Sequence, residues 1–275
     1  MNSGELLMRR LTLAYLPFFG SSQVDVIEAA AAAGFRSVGL RIAERLPGDS
    51  FPHSVIGNRD RLRDIKRRLT DSNISLSNVC GRSLVRETTA DELAGLVEAA
   101  EELGATYILV NGHDPDEHRM TDNMVRLANL AAHAGVKIGV EFVPFHCIRN
   151  LSEALRIVKA TRSANVGLVI DPLHLSRSGG HPDEVAAVPR ELIFYGQLCD
   201  ALAERPSSPE GCLVEARSGR LYPGEGALPL REFMRSLPAE CEIEVEVLNV
   251  AHQSLPLPLR AARIRESFER FMTTL

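Results

Sequence analysis

Val166–His174 reads VGLVIDPLH: five apolar residues, then an aspartate, then a proline. An apolar run of that length closed by a turn signal is the pattern of a strand buried on both faces, as in a parallel sheet. Asp171 therefore stands where the strand runs out. Three further segments place a polar residue where a strand runs out, with Glu141 in VKIGVEF (136–142), Gln197 in LIFYGQLCD (192–200) and Glu246 in EIEVEVLN (242–249), the first two after otherwise apolar runs. The steps between the four residues are 30, 26 and 49. One strand, helix and two loops of a parallel sheet take roughly 25–40 residues, so the side chains are expected at the same end of different, neighbouring strands. A long loop stretches the last step. Convergence at that end points to one cluster of oxygen ligands for a divalent cation.

Outward from these segments, short β-branched runs alternate with alanine- and leucine-rich helical stretches. Strands are predicted near 10–16, 37–42, 74–80, 106–111, 136–142, 166–171, 192–198 and 242–248. Helices are predicted over Gln23–Ala33 behind Ser22, Asn58–Thr70, Ala90–Leu103 behind Thr89, Thr121–Ala134, Leu151–Arg162, Pro182–Val188, Leu228–Leu237 and Leu259–Met272. Gly34, Gly104 and Gly135 suit the left-handed position that closes a helix. The three helix–glycine–strand segments form a weak repeat of about 30 residues, the period of a βα unit. Residues 201–226, with Pro206, Pro209 and Pro223, read as one long irregular loop. The expected fold is an α/β (β/α)8 TIM barrel, a single domain over 1–275.

Alternation along the strands sends Glu246 and Glu141 into the barrel, with Ile243, Val245 and Val247 facing the helices. It also sends Glu242 and Glu244 inward, where each needs a partner or a proton; Arg41, at a strand end, is a candidate partner. Charge and composition narrow the chemistry further. The 275 residues are 45% apolar with a net charge of −5, which disfavours a nucleic-acid partner. Five cysteines without a C-x-x-C pair suggest neither a disulfide framework nor a thiolate site and fit a reducing cytoplasm. The opening MNSGELLMRR lacks an export-type apolar run, and no stretch approaches the ~20 apolar residues of a membrane span. The three lysines, Lys66, Lys137 and Lys159, are not placed for a Schiff base.

Glu141, Asp171, Gln197 and Glu246 form a hard donor set suited to Mn²⁺ or Mg²⁺, with Co²⁺ and Zn²⁺ as alternatives. A cation also lowers the cost of gathering three carboxylates. His174 lies three residues after Asp171, and Pro172 with Gly179–Gly180 reads as a shaped turn rather than a helix, so its ring is expected beside cation or substrate. His113, after Asn111, faces the substrate or is a plain loop residue. His146, His181 and His252 read as surface or loop residues. In Arg217–Gly226 two arginines precede a Pro-Gly-x-Gly turn that would let backbone approach a ligand.

With those residues in place, the chain resembles the xylose isomerase-like TIM-barrel superfamily of sugar phosphate isomerases and epimerases. The likeness rests on Glu141 in GVEF, Asp171 and His174 in D-P-x-H, Gln197 and Asp200 in Q-L-C-D, Arg220 with PGEG, and Glu246 in V-E-V. Gln197 stands where many members have histidine, a trait of the hydroxypyruvate isomerase-like branch. The RLYPGEGA run lacks that branch's glutamate after the last glycine. The histidine-rich three-metal set of apurinic endonucleases is not supplied. The resemblance implies one divalent cation held by Glu141, Asp171, Gln197 and Glu246. The two glutamates would flank a small polyhydroxylated carbonyl substrate as acid and base through a metal-stabilised enediolate. His174, His113, Arg220, Arg41 and Asp200 are the expected substrate-binding residues, and a homo-oligomer is the expected assembly. Isomerisation or epimerisation ranks first. A dehydratase or lyase of the inosose or 3-dehydroshikimate type is the alternative, and a non-catalytic sugar-binding barrel the third reading.

Overall fold

A computed structural model describes residues 9–80 and 82–275. Met1–Met8, on which the reading of the opening segment largely rests, lie outside them. Eight parallel strands close on themselves in chain order: β1 (Leu11–Leu13), β2 (Ser37–Arg41), β3 (Ser75–Cys80), β4 (Tyr107–Asn111), β5 (Lys137–Glu141), β6 (Val166–Ile170), β7 (Ile193–Leu198) and β8 (Glu242–Val245). β1 pairs with both β2 and β8, so the barrel has no open edge. Around it run α1 (Gln23–Ala32), α2 (Arg59–Asp71), α3 (Ala90–Leu103), α4 (Glu117–His133), α5 (Leu151–Thr161), α6 (Pro172–Arg177), α7 (Pro182–Ala186), α8 (Pro209–Ser218), α9 (Leu230–Ser236) and α10 (Leu257–Met272). This is the (β/α)8 barrel expected from the sequence. Among the described residues no helix is long and apolar enough to cross a membrane.

Local chemistry sets the helix ends. Ser22 and Asp25 form a reciprocal capping box at α1, as Thr89 and Glu92 do at α3. Gly34, Gly104 and Gly135 take φ of 80°, 71° and 68° just beyond their helices, the conformation expected of them. α4 starts four residues before the predicted Thr121, because the Asp116 carboxylate accepts the Arg119 amide and caps the helix there. Two helices correct the sequence reading. Pro172–Arg177 is a helical turn rather than a non-helical one, and Pro209–Ser218 interrupts the stretch taken as an irregular loop. In both the proline occupies the first turn, where no backbone donor is needed, behind a capping Asp171 or Ser208.

Val38, Leu40, Ile138, Val140, Leu168 and Ile170 belong, with Ile27, Leu127 and Ile157, to the apolar core between barrel and helices. The barrel interior is partly polar. Glu244 on β8 accepts the Asn78 amide of β3 at 2.7 Å. β3 is not a sheet neighbour of β8, so Glu244 points inward, as strand parity predicted. Gly39 on β2 makes room for it, since a Cβ there would lie 2.3 Å from Glu244 Oε1. Glu242 accepts from Thr12 and lies 3.7 Å from Arg10. Arg41 is not the partner of either glutamate. Its guanidinium pairs with Asp49 and donates to the Ala43 carbonyl at 3.0 Å, because the loop after β2 folds back over the strand end.

Candidate active site

Strand register gathers the acidic residues. Asn111 pairs with Glu141, Glu141 with Val169, Ile170 with Gly196, and Gln197 with Glu244. Asp171 and Gln197, each next along its strand, are thereby brought alongside one another. β8 ends at Val245, but the Glu246 amide still donates to the Leu198 carbonyl at 3.0 Å and holds Glu246 at the rim. A cavity of about 670 Å³ opens above these ends, and Glu141, Glu246, His174, His113, Arg41 and Arg220 line it.

Asp171 is fully buried and doubly used. Oδ1 caps α6 by accepting the Leu173 amide at 2.7 Å, while Oδ2 pairs with Arg220 Nη1 at 2.7 Å. Arg220 Nη2 reaches Glu246 Oε2 at 3.1 Å, so one buried guanidinium bridges two of the four residues read as ligands. Nε is satisfied by the Ala216 carbonyl at 3.0 Å. Glu141 accepts the Asn111 amide at 2.8 Å, and its Oε1 lies 3.8 Å from His174 Nε2. That nitrogen is 3.9 Å from Asp171 Oδ2.

The electrostatics follow from burial. Desolvation, reinforced by Glu246 and Asp171, pushes the Glu141 carboxyl up to about 8, against the opposing Asn111 hydrogen bond and Arg45. Desolvation, with Glu246 next, likewise holds Glu244 at about 8 despite hydrogen bonds from Asn78 and Gln197. Glu246 lies above the ordinary carboxylate range, because burial outweighs Arg220 and Asp171 adds to it. Burial alone would raise Asp171, but Arg220 and His174 overcome it and leave the carboxyl low. His174 and His113 are both driven down to about 4, chiefly by burial, and so face the cavity neutral at pH 7.

The residues present fit a divalent cation. Glu141, Asp171 and His174 each offer a ligand atom, and these lie within 4.8 Å of one another. Gln197 donates its amide nitrogen to Glu244 Oε2 at 3.0 Å, and its buried Oε1 has no hydrogen-bond partner among the described residues. A buried carbonyl oxygen left unpartnered is costly, and it is the neutral donor that a hard cation takes. Glu246 is not among the three converging groups; its carboxylate faces Arg220.

Other residues singled out from the sequence fall unevenly. Arg217 lines the cavity. Asp200 does not: its carboxylate accepts the Gly224, Gly226 and Leu228 amides at 2.9–3.0 Å and clamps the Pro-Gly-x-Gly turn. His146, read as a surface or loop residue, lines the cavity with its ring centroid 3.9 Å from that of His113. His181 caps α7 and is exposed. Arg45 carried no sequence signal, yet it lines the cavity and donates to Asn111 Oδ1. A lone arginine in a polar loop has no spacing to mark it.

A family model described as xylose isomerase-like TIM barrel matches residues 27–266. A 3-dehydroshikimate dehydratase of Pseudomonas aeruginosa is 26% identical over 254 residues, covering 84% of this chain and 37% of that protein. The chain thus spans well under half of that relative's length. An inosose isomerase of Bacillus subtilis is 28% identical over 156 residues, 53% of this chain and 54% of its own. Among solved structures, that of "IOLI protein with a binding zinc atom" superposes with a TM-score of 0.79 at 19% identity, covering 96% of this chain and 98% of the other. At that identity the likeness shows the fold.

Proposed function

The chain belongs to the xylose isomerase-like TIM-barrel family, and from that premise we propose a divalent-metal-dependent enzyme that moves a proton beside the carbonyl of a small polyhydroxylated ketone, giving isomerisation or epimerisation. The observation that carries this reading is the pair Glu141 and Glu246: one buried and one half-buried carboxyl lining one cavity, each above the ordinary carboxylate range. A raised carboxyl is poised both to take and to return a proton near neutral pH.

Glu141, Asp171, Gln197 and Glu246 would hold the cation, with His174 close enough to share it. When bound, the cation supplies positive charge that offsets the oxyanion developing at the carbonyl. One glutamate removes the proton on the α-carbon and the other returns it. Return to the opposite face of that carbon gives an epimer, and return to the neighbouring carbon gives an aldose–ketose pair. Asn111 fixes Glu141 through its amide, and Arg220 fixes Glu246 against Asp171. Neutral His113 and His174 offer hydrogen bonds to substrate hydroxyls without adding charge.

A second reading is favoured by the match over 84% of the chain to a 3-dehydroshikimate dehydratase. The same proton removal followed by loss of a β-hydroxyl gives dehydration. Proton NMR in deuterium oxide, on metal-loaded protein with ketoses, inososes and 3-dehydroshikimate, separates the two. Solvent exchange without a new alkene signal supports isomerisation, an alkene or arene signal supports dehydration, and no exchange with any of them removes both.

A further inference from the structure

We propose that Arg45 and Arg217 form an anion subsite at the mouth of the cavity, so that the substrate is a hydroxyketone carrying a carboxylate. The inference rests on the reading of this cavity as the active site. Both arginines line it, and among the described residues neither makes an ion pair with a carboxylate. Arg45 donates only to a neutral amide, Asn111 Oδ1, and no hydrogen bond engages the Arg217 guanidinium among the described residues. Asp49, the acid in the Arg45 loop, is committed to the Arg41 guanidinium and to the Arg45 backbone amide, the latter at 3.2 Å. Burial, with Arg45 next, holds Arg217 below its ordinary value against a smaller opposing pull from Asp49, whereas Arg45, although buried, is held above its ordinary value by Cys80, Glu141, Glu246 and Asp49.

The charge of the whole cavity agrees. Asp49, Glu141, Glu244 and Glu246 line it with Asp171 beneath, against Arg41, Arg45, Arg217 and Arg220. With a divalent cation held there, positive charge exceeds negative even if every carboxylate is ionised. The subsite is also tied to the chemistry. Asn111 accepts from Arg45 and donates to Glu141 at 2.8 Å, so an anion on Arg45 sets the distance from the substrate's acidic end to the proton-moving carboxyl.

A phosphate would use the same two guanidinium groups, but it is the weaker fit. Phosphate subsites draw on backbone amides of glycine-rich turns. Here the amides of Gly224, Gly226 and Leu228 are already taken by Asp200. A carboxylate needs only the planar fork of a guanidinium.

Isothermal titration of the manganese-loaded full chain with 3-dehydroshikimate, a neutral inosose and a ketose 6-phosphate tests the subsite, each against wild type and Arg217→Gln. Arg217 is exposed on its helix, so the variant is expected to fold. The carboxylated ketone should bind at least about tenfold more tightly than the inosose, and Arg217→Gln should weaken it about 10- to 100-fold while leaving inosose binding unchanged. An Arg217-dependent advantage confined to the phosphate keeps the anion subsite and overturns the carboxylate. Equal binding of charged and neutral ketones in both proteins overturns the subsite. Deuterium exchange on the same samples keeps the two levels apart. Exchange with neutral ketones and no Arg217 effect sinks this inference alone; Arg217-dependent binding without exchange leaves the subsite and sinks the enzymatic reading.

Discussion

Gln197 shows how a neutral amide is made to present its oxygen. An amide can turn either end toward a cation, and only hydrogen bonding chooses between them. Glu244 Oε2 accepts the Gln197 nitrogen at 3.0 Å, and its other oxygen is held by Asn78 at 2.7 Å, so Oε1 of Gln197 is the end left over. Outer partners of this kind typically matter 10- to 100-fold in metal affinity. Glu244→Leu is therefore expected to weaken Mn²⁺ binding about 10- to 100-fold by calorimetry with the circular dichroism of the barrel retained; unchanged affinity would show that Gln197 needs no such anchor. Glu246→Gln keeps the shape of the side chain and removes its proton chemistry. Turnover in the deuterium-oxide assay should vanish while the thermal transition persists, and retained turnover would remove Glu246 from the acid–base pair. The positions of Glu141, Asp171, Gln197 and Glu246 were legible in the sequence because each stands at the end of a strand, three of them after otherwise apolar runs. The roles of Glu244, Asn78 and Gly39 were not, since only the closed barrel brings β2, β3, β7 and β8 to one interior point.

The loop between β7 and β8 behaves as an element in its own right, built on one carboxylate. Asp200 is buried and holds the Gly224, Gly226 and Leu228 amides, while its backbone pairs in both directions with Leu221. α8 and Arg220 hang from the same segment, so the clamp positions the guanidinium that joins Asp171 to Glu246. Asp200→Ala strands four amides, those of Ala201, Gly224, Gly226 and Leu228. Each lost hydrogen bond to a charged group is worth about 1.5–3 kcal/mol singly, without simple additivity, so a loss of about 3 kcal/mol or more is expected in urea unfolding. Faster proteolytic cutting between 201 and 228 should accompany it, and a stability within 0.5 kcal/mol of wild type, roughly the level of an ordinary surface substitution, would refute the clamp. The sequence showed Asp200 and PGEG as neighbours in a motif but not that one holds the other, because that contact spans 24 to 28 residues of loop. It also hid α6 and α8, since proline reads as a breaker unless its place just behind a capping residue is weighed.

The closed barrel concentrates acidic groups in its interior, and their burial makes stability depend on pH. Glu141 and Glu244 both titrate near 8 in the folded protein, against 4.5 ordinarily, chiefly because burial disfavours their charged forms. A carboxyl that holds its proton more tightly folded than unfolded contributes stability that is complete below its ordinary value and is lost as pH rises through its folded value. Asp171 runs the other way: its folded value is low, so its contribution is present above the ordinary aspartate range and lost on acidification. The metal-free protein should therefore be most heat-stable at about pH 5 and lose stability steadily toward about pH 9. A cation needs the ionised carboxylates, so metal binding competes with these protons and tightens as pH rises. Scanning calorimetry from pH 5 to 9, with EDTA and with excess Mn²⁺, should show the two transition temperatures diverging with pH. Glu244→Gln, neutral throughout, should flatten the metal-free decline. A metal-free transition that rises toward pH 9, or a gap between the curves that closes, would mean that the interior acids are ionised at little cost and that no cation is needed to hold them together.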